Sequence, residues 1–236
     1  MITITVTDDA EAAARTCAER ISEAIDEARA ARGVAHVALA GGRTPGRTYE
    51  LLGERVDDWR DVHLWFGDER CVPLDDPDSN HRLVTETLVA PLAARGVAPP
   101  EVHAVTGADG DPATAAADYE RELRATVPGD PPVLDVALLG LGEDGHTASL
   151  FPDDPALDEH ERLCVALHGT KPPFERVSLT LPVLRAARRT VVLTAGAGKA
   201  WAVGAMLAGP SNRVPASLLD GGGAVELIAD RAAAPA

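Results

Sequence analysis

A histidine and an aspartate stand two residues apart in a glycine-rich segment, Gly140-Leu141-Gly142-Glu143-Asp144-Gly145-His146-Thr147. Imidazole is the side chain best poised to take a proton near neutral pH, and a neighbouring carboxylate can fix its tautomer and stabilise the imidazolium. Flanking glycines leave room for a substrate. Asp144 and His146 are therefore candidates for acid–base work. The alternative is a histidine making a structural hydrogen bond, since six others occur at positions 36, 63, 81, 103, 160 and 168. Gly140, Gly142 and Gly145 also satisfy the G-x-G-x-x-G dinucleotide pattern, but its context fails. Pro152 and Pro155 come too soon for the long crossover helix, and no acidic residue ends the next strand near Leu167-His168.

Three further segments carry groups suited to an anion. Ala40-Gly41-Gly42-Arg43-Thr44-Pro45 reads as a strand-to-helix turn, with Thr44 as N-cap and Pro45 in the first helical position. Free N–H groups at such a terminus can cradle phosphate; an ordinary well-capped turn is the equal alternative. In Phe66-Gly67-Asp68-Glu69-Arg70-Cys71-Val72-Pro73, Arg70 could grip phosphate bidentately with the acids orienting it, or form a local ion pair in a solvated loop. Thr194-Ala195-Gly196-Ala197-Gly198-Lys199 places a lysine at a helix start. Only Lys171 and Lys199 among the 22 basic residues are lysines, so a retained lysine marks a position that requires one. A cation there opposes the helix dipole unless an anion binds beside it. The P-loop spacing is absent.

These loops need strands to present them. Apolar runs at Ile2–Val6, Val34–Leu39, Val62–Phe66, Val102–Val105, Leu134–Leu139, Leu163–Leu167, Val177–Leu181, Val191–Thr194 and Val225–Ile228 read as strands. Helices are expected from Asp8 or Asp9 to about Ala31, from Thr44, from Ser79 to Val89, over Pro112–Val127 and over Gly198–Leu207, with a short turn at Pro215–Leu219. Gly67–Pro77 reads as loop and Arg231–Ala236 as a frayed tail. Strand–helix alternation predicts a mostly parallel sheet with helices on both faces, and ligands bind such sheets beyond the carboxyl ends of the strands. The three loops Gly41–Pro45, Gly67–Arg70 and Gly140–His146 all leave strands at that edge.

Composition narrows the class. The length of 236 residues and 45% hydrophobic content suit one folded domain over 1–236. A net charge of −15 and 3% aromatics disfavour nucleic acid and anionic lipid as partners. No apolar run reaches membrane-spanning length and no secretory leader is read at the N-terminus. Cys17, Cys71 and Cys164 are scattered and odd in number, which fits neither a disulfide framework nor a cysteine zinc site and favours a cytoplasmic location.

Taken together and in order, Gly67-Asp68-Glu69-Arg70-Cys71-Val72-Pro73, Ser79-Asn80-His81-Arg82, Leu139 through Pro152, Glu175-Arg176-Val177-Ser178-Leu179-Thr180 and Gly198-Lys199-Ala200 closely resemble the 6-phosphogluconolactonases. The resemblance implies a doubly wound three-layer α/β/α domain and hydrolysis of a phosphorylated sugar lactone, with neither metal nor cofactor called for. It implies His146 as general base, Asp144 as its partner, and Gly42, Thr44, Arg70 and Lys199 near the phosphate. Arg176 is a further candidate. Arg43 departs from the small serine usual in the family's first loop, and either adds a phosphate contact or points to solvent. Ser149 has no G-x-S-x-G setting, so no serine nucleophile is implied. The nearest rivals are a glucosamine-6-phosphate deaminase, whose motif continues differently after the histidine, and a sugar-phosphate-sensing module, which would need a basic DNA-binding segment.

Overall fold

The computed structural model describes residues 1–107 and 110–235. Seven parallel strands form the central sheet: β1 (Ile2–Thr7), β2 (Ala35–Leu39), β3 (Val62–Phe66), β5 (Glu101–Val102), β6 (Val136–Gly140), β9 (Arg189–Thr194) and β10 (Ala224–Asp230). Their order is β1-β10-β9-β6-β2-β3-β5. Side chains alternate across it as strand geometry requires. Val37, Leu39, Leu64, Phe66, Val136, Leu138, Val191 and Leu193 enter one core, whereas Ala38, Trp65, Ala137, Leu139 and Val192 enter the other. Both faces are thus apolar, which is why the central strands read as continuous hydrophobic runs.

Helices α1 (Ala10–Arg32), α2 (Arg43–Arg55), α3 (Asn80–Val84) and α4 (Ala90–Ala94) cover the first face. Helix α1 is stopped at both ends by local chemistry. Asp9 accepts from the Ala12 N–H at 2.8 Å, and Gly33, at φ +78°, donates to Arg29 O at 2.9 Å. Its buried stripe, Ala13, Cys17, Ile21, Ala24 and Ala28, follows helical spacing. A π-helical turn at Thr85–Val89 joins α3 to α4. Helices α5 (Pro112–Thr126), α6 (Leu181–Ala186) and α7 (Ala200–Leu207) lie on the second face. The result is the doubly wound three-layer arrangement with a mostly parallel sheet.

The winding reverses between β2 and β6. From β2 the chain builds outward through β3 and β5; it then returns to the other side of β2 with β6 and continues through β9 and β10. Loops leaving adjacent strands there diverge and open a crevice, the usual ligand site of such sheets. Two phenols stiffen its floor. Tyr49 accepts from the Ala40 N–H at 2.9 Å and donates to Ala40 O, and Tyr119 accepts from the Phe66 N–H at 2.6 Å and donates to Phe66 O at 3.2 Å. Each gives a strand end the backbone partner that a diverging neighbour no longer supplies.

Three sequence expectations are corrected. Asp68–Arg70, read as loop, is strand β4, pairing antiparallel with β8 (Glu175–Leu179), which pairs with β7 (Cys164–His168) in a separate small sheet. Its charges are tolerated because Glu69 collects four donors: the N–H groups of Arg70, Asn80 and His81, and the Ser79 hydroxyl. Thr44 is not the N-cap of α2. Gly42, at φ +107°, fills that place and Thr44 lies in the first turn. The expected frayed tail is fastened through Ala234. Arg231 donates to Thr7 O, Asp230 takes the N–H groups of Ala233 and Ala234, and Ala233 is wholly buried; Ala236 lies outside the described residues.

Candidate active site

The loop after β6 folds back on itself around His146. Gly142 N–H donates to His146 O at 2.8 Å, and Thr147 Oγ1 donates to Gly140 O at 2.9 Å. Gly145 sits at φ +86° against Val214, where a side chain would be both strained and crowded. This closed turn brings His146 Nδ1 to 2.5 Å from Asp144 Oδ1, which also accepts from the His146 N–H at 3.2 Å. The hydrogen bond from His146 holds the Asp144 carboxyl down at about 2, so it is ionised at neutral pH. An ionised acceptor places the imidazole proton on Nδ1 and leaves the Nε2 lone pair free. Phe151 lies tilted against the ring, with centroids 5.1 Å apart. Gly142 is an absolute requirement of the arrangement, since a Cβ there would lie 2.1 Å from His146 Nδ1.

The dyad faces a cleft of about 790 Å³ whose lining includes Gly41, Asp68, Arg70, Lys171, Arg176 and Lys199. Arg70 and Arg176 are direct cross-strand partners on β4 and β8. Arg176 is 8% exposed, with Nε donating to Pro173 O at 2.7 Å and Nη2 to Lys171 O at 3.3 Å. Burial, and then the neighbouring Arg70 charge, push its guanidinium below the usual arginine range. Arg70 donates to Asp78 O, while its buried Nε has no partner. Among the described residues, neither arginine has a carboxylate within salt-bridge distance, nor do Lys171, Lys199 or Arg43. Most surface arginines, Arg20, Arg29, Arg47, Arg55 and Arg82 among them, are paired. In a chain of net charge −15, four cations without a salt-bridge partner among the described residues, Arg70, Lys171, Arg176 and Lys199, line one crevice beside Asp68, Glu143 and Asp144. That is an anion site in electrostatic terms.

The structure thus brings Asp144, His146, Arg70, Arg176 and Lys199 together. Gly42, Arg43 and Thr44 stand at the adjoining N-terminus of α2 but do not line the cleft; Gly41 and Ala40 do. Gly41 is pressed beneath Asn80, whose Nδ2 donates to Asp68 O at 2.7 Å. Sequence reasoning missed Lys171, although the rule that singled out Lys199 applies to it equally. It also missed Asp68 and Ser149, joined at 2.6 Å, which tie the segment after His146 to β4.

The chain matches, over residues 8–227, the family described as glucosamine-6-phosphate isomerases/6-phosphogluconolactonase. It is 42% identical to the 6-phosphogluconolactonase of Streptomyces coelicolor, across 96% of this chain and 91% of the relative. It is 41% identical to that of Synechocystis, across 80% and 76%. The solved structure of the 6-phosphogluconolactonase from Trypanosoma brucei superposes with a TM-score of 0.86 at 29% identity, covering 99% of this chain and 97% of that one. With the family match over most of its length, and with its fold in agreement with that of a solved relative, the chain belongs to the glucosamine-6-phosphate isomerase/6-phosphogluconolactonase family.

Proposed function

We propose that the chain hydrolyses 6-phospho-D-glucono-1,5-lactone to 6-phosphogluconate, a step of the oxidative pentose phosphate pathway, acting as one unit over 1–236 in the cytoplasm. The observation that carries this reading is the meeting of the Asp144–His146 pair in one cleft with cations that no salt bridge occupies. The lactonase relatives support the choice of substrate.

Arg70, Arg176 and Lys199 hold the phosphate, with Gly42, Thr44 and the free N–H groups of α2 available on the adjoining side; Arg43, exposed, adds charge at the rim. Fixing the phosphate orients the lactone ring against the imidazole, which removes most of the entropic barrier. His146 Nε2 takes a proton as water adds to the lactone carbonyl, and Asp144 stabilises the imidazolium. The tetrahedral oxyanion then collapses, the ring C–O bond breaks, and the departing ring oxygen takes the proton back from Nε2. The acid product ionises to solvent. Ser149 takes no part as nucleophile because its hydroxyl is buried and donates to Asp68.

The test is hydrolysis of lactone generated in situ from glucose 6-phosphate, at mildly acidic pH where spontaneous opening is slow. Wild type is compared with His146→Asn. Acceleration by wild type alone is expected. Equal turnover by the variant removes the general-base role, and no acceleration by either directs the assay to glucosamine 6-phosphate.

A further inference from the structure

A second constellation lies at the other end of the sheet. His63, near the start of β3, is about 10 Å along its strand from Phe66, where β3 ends at the crevice, taking about 3.3 Å per residue. His63 pairs in register with Glu101 on β5, and His103 follows that strand directly. His63 Nδ1 and His103 Nε2 are 2.9 Å apart. The Glu101 carboxylate offers one oxygen to each ring, Oε2 at 3.7 Å from His63 Nδ1 and Oε1 at 3.7 Å from His103 Nε2. Ligands held at 2.0–2.1 Å around a tetrahedral ion stand about 3.3 Å from one another. The observed separations bracket that spacing, so small side-chain rotations suffice to seat an ion.

What surrounds the three groups suits ligation better than a plain hydrogen bond. His103 Nδ1 lies 2.6 Å from Glu122 Oε1 on α5, the carboxylate–histidine contact that fixes the tautomer of a metal-bound imidazole and turns its other nitrogen outward as a lone pair. Trp65 stacks on the same ring at 3.8 Å with a 1° interplanar angle, which sets its plane. His36 walls the site, its ring 4.9 Å from that of His63, and its Nδ1 is engaged by Trp65 Nε1. Glu101 is 66% exposed in its side chain and leaves a path from solvent.

We propose that His63, Glu101 and His103 form a binding site for a divalent transition-metal ion, Zn²⁺ foremost, separate from the cleft. Two imidazoles and one carboxylate are borderline ligands suited to Zn²⁺, with a fourth position for water. A cavity of about 580 Å³ reaches Ala104 and Glu122 beside the site, but none of the three ligands lines it, and the role of the ion is a clip. Strand β5 is two residues long and lies at the sheet edge. The ion ties it to β3, and through Glu122 to α5.

The experiment uses the full chain carrying His146→Asn, so that the active-site histidine cannot contribute, stripped with a chelator that is then removed. Zn²⁺ is titrated against a chromophoric competitor, and Co²⁺ is added separately to read the absorption of tetrahedral coordination. One equivalent is expected to bind, with a melting temperature raised by about 5–10 °C at a free Zn²⁺ concentration 100-fold above its Kd. Adding His63→Gln abolishes binding. Adding Glu101→Gln, at an exposed position that leaves the fold intact, weakens it at least ~10-fold. Glu122→Gln weakens it by ~10–100-fold while leaving the Co²⁺ spectrum of the saturated site tetrahedral, as a positioning residue should. Absence of saturable binding in the His146→Asn chain overturns the proposal, as does unchanged affinity on adding His63→Gln or Glu101→Gln.

Discussion

Replacing Gly142 with alanine should disable the acid–base pair while leaving the phosphate grip and the fold in place. Gly142 does not have a positive φ, so alanine meets no backbone strain there. The obstacle is its side chain alone. A Cβ would lie 2.1 Å from His146 Nδ1, 2.3 Å from Cε1 and 2.5 Å from Asp144 Oδ1. Ordinary van der Waals contact begins at 3.4 Å, so the imidazole must retreat by about 1 Å or more, and a misplacement of that size costs about 100-fold in rate. That corresponds to about 2.7 kcal/mol of lost transition-state stabilisation. Arg70, Arg176 and Lys199 are untouched, and KM should change by less than about 3-fold, the pattern of an interaction lost only from the transition state. The assay is lactone hydrolysis over a range of glucose 6-phosphate-derived substrate, with a thermal melt of the same preparations. Wild-type kcat in the Gly142→Ala protein would refute the reasoning. So would a kcat loss that appears only with a collapsed melting transition, because the pair would then be incidental to the defect.

Further outcomes follow from the same contacts. If the proposed phosphate site is right, Arg70→Met and Arg176→Met should each raise KM at least ~10-fold with kcat within a few-fold, the loss of one charge-assisted contact of about 1.5–3 kcal/mol; steady-state kinetics decide it. Tyr119→Phe leaves the Phe66 N–H without its 2.6 Å partner, and calorimetry should find a loss of about 1–3 kcal/mol. Glu69→Gln puts an amide NH₂ where N–H and O–H donors converge on a carboxylate, and should lower the melting temperature by several degrees. His36 is pushed down to about 4 from 6.5, first by burial and then by the neighbouring His63 charge. The unfolded chain therefore takes up its proton before the native one does. Stability should fall as pH is lowered through this interval, and His36→Gln should fall less between pH 7 and 5 in paired melts.

Much of the frame was legible because the central strands are buried on both faces and so form unbroken apolar runs: Val37 through Leu39, Leu64 through Phe66, Val136 through Leu139. The coincidence of glycine loops at their carboxyl ends marked the crevice for the same reason. Strand β4 was not legible. Asp68-Glu69-Arg70 has the composition of a solvated loop, and its place inside the protein depends on Glu69 being met by donors from residues 70, 79, 80 and 81, which only the folded chain supplies. The pairing of Arg70 with Arg176 was invisible for the same reason, since antiparallel register across 106 residues is set by tertiary packing. Thr44 had the right chemistry for a cap, but the positive φ at Gly42 starts the helix earlier. The cluster of His63, Glu101 and His103 was not legible either, because Glu101 and His103 are brought to His63 only by the pairing of β5 with β3.

The two phenols beneath the crevice have a spectroscopic consequence. Tyr49 and Tyr119 are the only tyrosines in the chain, and burial raises both well above the ordinary phenol value of 10.0. The unfolded chain ionises its tyrosines near that value and the native chain does not, so alkali draws the protein toward unfolding. No exposed tyrosine contributes a background. In an alkaline titration the near-ultraviolet phenolate band should stay silent until the ends of β2 and β3 come apart, and should then rise together with the loss of lactone turnover. The protein carries its own optical indicator for the integrity of its binding floor, with no label attached.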